Sequence, residues 1–196
     1  MVMRKSQEQA GLFATAHGLP EGFKYQTGIL SSEDERLLLD QMRQLPFKEF
    51  QFQGFVGKRR VVSYGWRYDF NERMLRQAED IPAFLLPVRE AAAGFAGIAP
   101  EQLAQVLLTE YDAGSSIGWH RDKKMFDDVI GISLLSACRF RFRRKVGSTW
   151  ERASLIAEPR SAYLLRGPSR TEWEHSIPAV DALRYSITFR TLRQGR

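Results

Sequence analysis

The chain of 196 residues predicts an α+β fold in which a helical N-terminal part supports a core of β-strands. Two segments with helical patterns lie before residue 100, and a series of short strand-like segments follows it. Helices and strands that are segregated along the chain in this way are typical of an α+β domain with a β-sandwich or barrel core. At this length we expect a single domain over residues 19–196, preceded by a loose, polar lead-in over residues 1–18.

The helix signals come first along the chain. Ser31 precedes Asp34 by three residues, which is the pattern of a capping box at a helix start. An apolar stripe follows, and Pro46 ends the helix. Residues 81–95 predict a second helix that is rich in leucine and alanine. Residues 47–70, between the two helices, are aromatic, basic and interrupted by glycine, which indicates short strands and loops.

The strand signals occupy most of the chain after residue 100. Residues 129–135 form a nearly continuous apolar run, as expected of a buried strand. Residues 138–143 alternate strictly, with Phe140 and Phe142 on one face and arginines on the other. Further strands are predicted at residues 105–111, 161–165 and 183–191.

Composition limits the class of protein and its partners. Hydrophobic residues make up 43% of the chain, which argues against wholesale disorder. The net charge of +6 raises the expectation of a nucleic-acid partner, but runs such as the cations at residues 58–60 and 139–145 more often form a solvated face, so charge alone does not identify such a partner. No apolar run approaches the roughly 20 residues that span a bilayer, and the start lacks the apolar stretch of a secretory signal. The single Cys138 suits a reducing compartment, so we expect a cytoplasmic protein that does not enter a membrane.

Two of the three histidines stand in an arrangement that suits a metal ion. His120 and Asp122 are two residues apart, so both side chains point to the same side of an extended segment, and His175 follows later. Two histidines and one carboxylate form the facial triad of non-haem Fe(II), which leaves coordination positions open for co-substrate and dioxygen. A His-x-Asp pair alone is a weak signal, because a hydrogen-bonded or surface histidine is the alternative, and His17 is assigned to that alternative.

The C-terminal segment adds cations to this arrangement. Polar and apolar residues alternate over residues 184–190, so that Arg184, Ser186 and Arg190 share one face of a strand. An exposed basic face is one explanation of the two arginines. Beside a facial triad, the better explanation is an inward-facing clamp for a carboxylate co-substrate, because guanidinium groups bind carboxylates bidentately.

Taken together, the motifs resemble those of a known family. The chain resembles the AlkB family of Fe(II)- and 2-oxoglutarate-dependent dioxygenases in Tyr111, His120-Arg121-Asp122, His175 and the run over residues 184–190. The likeness extends over residues 22–192 and implies a double-stranded β-helix (jelly-roll) core, with the N-terminal helices supporting one sheet. It implies Fe(II), 2-oxoglutarate and O2 as cofactor and co-substrates, with His120, Asp122 and His175 as the catalytic iron ligands.

The same resemblance assigns contacts to the co-substrate. Arg184 and Arg190 are similar to the family's carboxylate partners, and Tyr111 is similar to its hydroxyl donor. Thr109 and Ser186 stand where the family has asparagine, and both replacements remain polar.

The resemblance also implies a reaction. Family members typically hydroxylate the methyl carbon of an N-alkylated nucleobase, and the resulting hemiaminal releases formaldehyde. We therefore expect an oxidative demethylase of alkylated bases in DNA or RNA, a direct-reversal repair activity, that binds a flipped-out base and also yields succinate and CO2. Residues 57–66 resemble the family's nucleotide-recognition lid, and core packing is the alternative for the aromatic residues there. The candidate substrate contacts are Phe55, Arg59, Arg60, Tyr64, Trp66 and Tyr68.

One departure from the family pattern concerns the substrate. Lys124 stands where base-demethylating members often carry an acidic residue that contacts the base. The alternative function is therefore an AlkB-like oxygenase that acts on a protein side chain or on a modified tRNA base. A third hypothesis is a non-catalytic jelly-roll binding module, against which the triad and both arginines argue. We expect a monomer that binds nucleic acid.

Overall fold

Antiparallel strands make up most of the structure, a computed structural model that describes residues 18–52, 55–69, 74–77 and 79–193. For the described residues within 51–57 and 67–78, the description is limited to the backbone. The predicted lead-in over residues 1–18 lies, except for Gly18, outside the described residues. The strands are β1 (Phe23–Gln26), β2 (Lys48–Phe52), β3 (Phe55–Asp69), β4 (Met74–Gln77), β5 (Leu103–Tyr111), β6 (Ile117–His120), β7 (Phe126–Leu134), β8 (Cys138–Val146), β9 (Thr149–Ala157), β10 (Ser161–Leu165), β11 (Glu174–Ile177) and β12 (Arg184–Leu192). The helices are α1 (Ser32–Met42), α2 (Leu86–Ala96) and α3 (Pro168–Thr171), with short 3-10 turns at Ala83–Leu85 and Pro100–Gln102.

The described strands form two sheets that lie face to face. The large sheet has the order β1-β10-β7-β12-β5-β3-β2, with β4 paired to the free part of β3. The small sheet has the order β6-β11-β8-β9, and every strand pair in both sheets is antiparallel. One apolar cluster contains buried residues of both sheets, among them Tyr163 from β10 and Phe142 from β8. The two sheets therefore enclose a jelly-roll core, which confirms the fold class expected from the sequence.

The large sheet buries apolar side chains on both faces. Its outer face carries Leu108, Ile132 and Ile187, which pack in one cluster with residues of α1 and α2. Its inner face, which is turned toward the small sheet, carries the alternate residues of the same strands. Successive residues of each strand therefore point alternately toward the helices and toward the space between the sheets.

The first helix begins as the sequence predicts. Ser31 caps α1: its hydroxyl accepts from the backbone N–H of Asp34 at 3.0 Å, and the Asp34 carboxylate accepts from the backbone N–H of Ser31 at 3.2 Å. The second predicted helix consists of a 3-10 turn followed by α2, which ends at Gly97 with a left-handed φ of 68°.

One strand of the small sheet was absent from the sequence prediction. β9 follows β8 through the two-residue turn Gly147-Ser148, and Val146 pairs with Thr149 across it. Gly147 has a φ of 58°, as a tight hairpin turn requires. The side chains of β9 are mostly exposed, so its apolar pattern is weak, and the glycine turn was the available signal.

The helices give no sign of a membrane span. Over residues 18–52 and 79–193, where all described helices lie, none is long and apolar enough to cross a bilayer.

Candidate metal centre and co-substrate pocket

The two histidines and the carboxylate predicted to bind a metal lie together at one end of the small sheet. His120 is the last residue of β6 and is the register partner of His175 on β11. Asp122 follows in the loop after β6, so the pair lies at the predicted strand-to-loop junction. One ligand atom from each of the three residues lies within 4.8 Å of the others, and Nε2 of His175 is 3.6 Å from Oδ2 of Asp122. Two imidazoles and one carboxylate this close together are a donor set that suits a ferrous ion.

Neighbouring groups hold both imidazoles in orientations that suit metal binding. Nδ1 of His120 lies 2.9 Å from the carbonyl oxygen of Gly118, to which it donates, so Nε2 is left for a metal. The ring of His175 stacks on Phe140 with a centroid distance of 5.4 Å. Burial, with added repulsion from His120, lowers the pKa of His175 to about 3 despite the opposing charge of Asp122. The neutral imidazole that binds metal is therefore the form present near neutral pH.

Arg190 neutralises and orients Asp122. Its Nε and Nη2 donate to Oδ1 of Asp122 at 2.8 and 2.7 Å, and its Nη1 donates to Gln105 at 2.8 Å. Burial acts to raise the pKa of Asp122, but the charge of Arg190 and the adjacent histidines outweighs it and holds that pKa well below its usual range. With Oδ1 held by Arg190, Oδ2 is the oxygen that faces His175.

The loop that carries Asp122 is fastened to α3. The buried Arg170 donates through Nη2 to the carbonyl oxygens of Lys123 at 2.6 Å and Phe126 at 3.0 Å. In the opposite direction, Arg121 donates to the carbonyl oxygen of Thr171 at 3.0 Å. These contacts fix the backbone on both sides of Asp122, although Asp122 itself lies outside a strand.

Arg184 provides a buried cation with free hydrogen-bonding capacity. Its side chain is fully buried on the inner face of the large sheet, with Nη2 donating to Ser133 at 3.2 Å. Its Nε and Nη1 have no hydrogen-bond partner in the described part of the chain. A buried charge with unpaired donors is costly unless an anion completes it. The two donors of Arg184 that lack a partner therefore suit a carboxylate such as that of 2-oxoglutarate.

Further polar side chains line the same face. Tyr111 is the register partner of Arg184, and its ring lies 4.8 Å from the guanidinium carbon. Thr109 is the register partner of Ser186, and both side chains are buried. The predicted co-substrate residues are thus brought together on the inner face of β5 and β12.

The sequence model of the 2OG-Fe(II) oxygenase superfamily matches residues 22–190. The chain belongs to this superfamily. It is an AlkB-like domain of the kind that uses Fe(II), 2-oxoglutarate and O2, as the motifs predicted.

Curated relatives and a solved structure agree with the family. The chain is 30% identical over 165 residues to "Alkylated DNA repair protein ALKBH8 homolog" of Arabidopsis thaliana, covering 71% of this chain and 48% of that protein. It is 24% identical to "tRNA (carboxymethyluridine(34)-5-O)-methyltransferase ALKBH8" of Macaca fascicularis, covering 81% of this chain and 24% of that one. The structure of OsALKBH1 superposes with a TM-score of 0.69 at 16% identity, over 87% of this chain and 96% of that chain, which shows a shared fold. The chain thus spans about half the length of the first relative and a quarter of the second.

One inner-face residue of this AlkB-family site was missed by the sequence analysis. Tyr163 on β10 is buried, and its ring crosses Gly131 so closely that a Cβ there would lie 2.1 Å from the ring. Burial and the nearby Tyr111 raise the pKa of Tyr163 well above its usual value, so the phenol stays protonated. All five residues of β10 are buried, so alternation could not reveal which side chains face the site.

The predicted substrate contacts on β3 divide between the two faces of the large sheet. Arg59 lies on the inner face, where it donates to the carbonyl oxygen of Ser116 at 3.3 Å and lies 3.8 Å over the ring of Phe50. Burial lowers the pKa of Arg59, and Tyr111 partly opposes this. Among the predicted substrate contacts on β3 whose side chains are described, Arg59 is the one that lies on the inner face.

Three predicted substrate contacts lie on the face of the large sheet that meets the helices, because the even-numbered residues of β3 point to that side. Arg60 pairs with Glu110, which also accepts from Tyr185 at 2.7 Å. Tyr64 belongs to the apolar cluster packed under the helices. Trp66 lines a cavity of about 290 Å³ with Leu86 and Arg89 of α2.

Three further substrate contacts were predicted: Phe55, Tyr68 and Lys124. The side chains of Phe55 and Tyr68 lie outside the described residues. Lys124 is exposed in the loop after Asp122.

Proposed function

We propose that this enzyme hydroxylates a carbon substituent on a nucleobase held in a nucleic-acid strand, with oxidative removal of an N-methyl group as the leading reaction. The products are then formaldehyde, succinate, CO2 and the unmethylated base, which remains in the strand. The observation that carries the proposal is the buried Arg184 with two unpartnered donors beside a complete triad, in a chain of net charge +6. The triad and Arg184 support the oxygenase chemistry, and the positive charge favours a polyanionic substrate.

Different residues bind the metal and the co-substrate in this proposal. His120, Asp122 and His175 would hold Fe(II), which when bound supplies the activation of O2 for C–H oxidation coupled to 2-oxoglutarate decarboxylation. Arg184 binds a carboxylate of 2-oxoglutarate, and the Tyr111 hydroxyl donates to it. The apolar cluster between the sheets excludes water from this end of the pocket.

Exposed cations lie next to the metal ligand Asp122. Arg121, Lys123 and Lys124 lie in the loop around Asp122, and all three residues are exposed. Phosphates of the substrate strand are the expected partners of such cations, because they supply most of the sequence-independent affinity for nucleic acids.

A second candidate substrate is a modified base of tRNA. One curated relative, of which the chain covers 24%, is named as a tRNA (carboxymethyluridine(34)-5-O)-methyltransferase, and this name supports a modified uridine of tRNA as the alternative substrate. Lys124, in the place of an acidic base contact, is compatible with a base that differs from methylated adenine or cytosine.

A turnover assay on defined substrates distinguishes these reactions. The protein is incubated with Fe(II), 2-oxoglutarate and ascorbate on oligonucleotides that contain N1-methyladenine or N3-methylcytosine and, separately, on bulk tRNA, with mass spectrometry of the digested nucleosides. We expect loss of methyl from an oligonucleotide, and no loss with the His120→Ala control. Succinate formation without loss of methyl would contradict demethylation, and a nucleoside of tRNA that gains one oxygen would support the second candidate.

A further inference from the structure

The outer face of the small sheet, which is turned away from the core, is strongly basic. The side chains of Phe140 and Phe142 point inward and are buried. The intervening residues of β8 point outward, and all of them are cations: Arg139, Arg141, Arg143 and Lys145. Alternate residues of a strand are about 6.8 Å apart, so these four cations form a line of roughly 20 Å.

The neighbouring strand adds positive charge where opposite charge would stabilise the sheet. Arg152 on β9 is the register partner of Arg143, and like charges directly opposite each other are destabilising. The four strands of the small sheet contain two acidic residues. Glu174 pairs with Arg143 at 2.6 Å, and Glu151 pairs with Arg144 on the inward side. Apart from the pair of Glu174 with Arg143, no carboxylate within the described residues compensates the cations on this face.

Three of these cations are free to bind. Arg139, Lys145 and Arg152 are exposed, and within the described residues none of them makes a hydrogen bond or an ion pair. A polyanion with a charge at each repeat gains affinity by displacing counterions from such a row.

Two tryptophans lie among the cations on the same face. The guanidinium carbons of Arg141 and Arg143 lie 4.9 and 4.6 Å from the ring centroid of Trp119. Arg143 also lies 4.4 Å over Trp150, whose side chain is 38% exposed. Guanidinium planes ordered on indole rings offer flat surfaces on which bases stack, in addition to charges for phosphates. This combination favours a nucleic-acid strand over an acidic protein segment, which needs no stacking surface.

The outer face is continuous with the metal centre. Trp119 directly precedes His120 on β6, and Glu174 directly precedes His175 on β11, so the outer face is the reverse side of the strands that carry two triad residues. β6 is an edge strand, and Arg121 beyond its end continues the cations toward the loop of Asp122. A strand that lies on the outer face can therefore pass around this edge to the site.

We propose that the outer face of the small sheet binds a single strand of nucleic acid, with the β8 and β9 cations on its phosphates and Trp150 stacked on a base. The inference deepens the proposed function, on which it rests for the class of substrate, by naming the surface that holds the strand outside the catalytic pocket. It concerns binding, and it is therefore measurable without turnover.

The test is binding of an unmethylated, fluorescein-labelled 20-nucleotide RNA by fluorescence anisotropy at several salt concentrations. The Arg139→Gln/Lys145→Gln/Arg152→Gln variant is compared with a control that loses the same charge on the helix side, Lys24→Gln/Arg36→Gln/Arg43→Gln. We expect the outer-face variant to bind about ten-fold more weakly or worse near physiological salt, and the slope of log affinity against log salt to fall by about 2. The control should bind nearly as the unchanged protein does. Trp150→Ala should lose about five-fold or more with an unchanged salt slope.

A second measurement does not depend on any substitution. RNA containing 4-thiouridine is cross-linked to the unchanged protein, and the cross-linked peptides are identified by mass spectrometry. Peptides from β8 and β9 are expected.

Three results would overturn the inference: equal losses in the two triple variants, cross-links confined to other peptides, or stronger competition by polyglutamate than by unlabelled RNA. Intact RNA binding by a protein that fails to turn over any methylated base would contradict the proposed function and leave the outer-face inference standing.

Discussion

At the scale of single residues, the two arginines of β12 have different contacts, so their substitution should impair different steps of binding. Arg184 is buried, and two of its donors have no partner in the described part of the chain, whereas Arg190 donates twice to Asp122. The expectation that both serve mainly as co-substrate carboxylate partners is thus refined: in the structure, the guanidinium of Arg190 is engaged with the predicted metal ligand.

We expect Arg184→Met and Arg190→Met to have different effects. Arg184→Met should raise the 2-oxoglutarate concentration needed for half-maximal turnover by ten-fold or more, with metal affinity unchanged, because charge-assisted bonds to a buried carboxylate are lost. Arg190→Met should weaken metal binding by about 10–100-fold, as is typical when a partner that orients a ligand is removed. Titration with Mn(II) followed by electron paramagnetic resonance, alongside 2-oxoglutarate kinetics, separates the two effects. Identical behaviour of the two variants would contradict the division of roles.

The triad could be predicted from sequence because its chemistry depends on residue type and on short spacing. The i, i+2 relation of His120 and Asp122 limits their directions, and the alternation over residues 184–190 limits those of the arginines. The same reasoning could not predict on which face of the large sheet Arg60, Tyr64 and Trp66 lie. β3 extends over 15 residues that include basic and aromatic side chains at both parities, so the pairing with β5 alone decides which of them face inward.

At the scale of elements, α3 acts as an anchor for the loop that carries Asp122. The helix has four residues, yet Arg170 at its centre holds two carbonyl oxygens of that loop. Nothing in the sequence distinguishes this arginine from the other cations of the chain, because its role depends on a contact 44 to 47 residues away.

Arg170→Met should therefore weaken metal binding by about 10–100-fold in a folded protein, because the position of Asp122 is less restricted. Arg166→Met is the matched control: Arg166 precedes the same helix but contacts Asp128 and the carbonyl oxygen of Ala96, away from the metal loop. Mn(II) affinity and circular dichroism should be measured for both variants. Equal metal affinity in the two variants would exclude an anchoring role for Arg170.

α1 stabilises two strained turns through one side chain. Glu35 accepts from the backbone N–H of Leu135 at 2.9 Å and from Nη1 of Arg160 at 3.1 Å. Both partners have a positive φ, 71° for Leu135 and 58° for Arg160, which is costly for residues with a Cβ. One carboxylate on the helix thus helps to hold the turns that precede β8 and β10 in place.

Glu35→Ala should reduce the free energy of unfolding by about 1–3 kcal/mol, because a partly buried backbone donor and a guanidinium lose their shared acceptor. Glu33→Ala on the exposed side of the same helix is the control and should leave the free energy of unfolding nearly unchanged, because its ion pair with Arg36 is exposed to solvent. Urea unfolding followed by circular dichroism measures both. A loss in Glu33→Ala as large as in Glu35→Ala would attribute the effect to helix propensity instead.

At the scale of the whole molecule, the site joins the two sheets. The triad belongs to the small sheet and the loop after β6, whereas Arg184 belongs to the large sheet. The apolar cluster between the sheets packs one sheet against the other. Ligands that bind both sides of this space should therefore stabilise the fold as a unit, since each binds the folded state alone.

We expect Mn(II), which supports binding without turnover, to raise the melting temperature, and 2-oxoglutarate to raise it further only when the metal is present. A ligand at about 100 times its dissociation constant adds roughly 2.7 kcal/mol, which corresponds to a shift of about 5–10 °C for a chain of this size. His120→Ala should abolish both increments, because the metal no longer binds, while Arg184→Met should keep the first and lose the second. Differential scanning fluorimetry of the three proteins measures the increments. If 2-oxoglutarate stabilises the His120→Ala protein as much as the unchanged one, its binding does not depend on the metal, and the assignment of one joint site to both ligands fails.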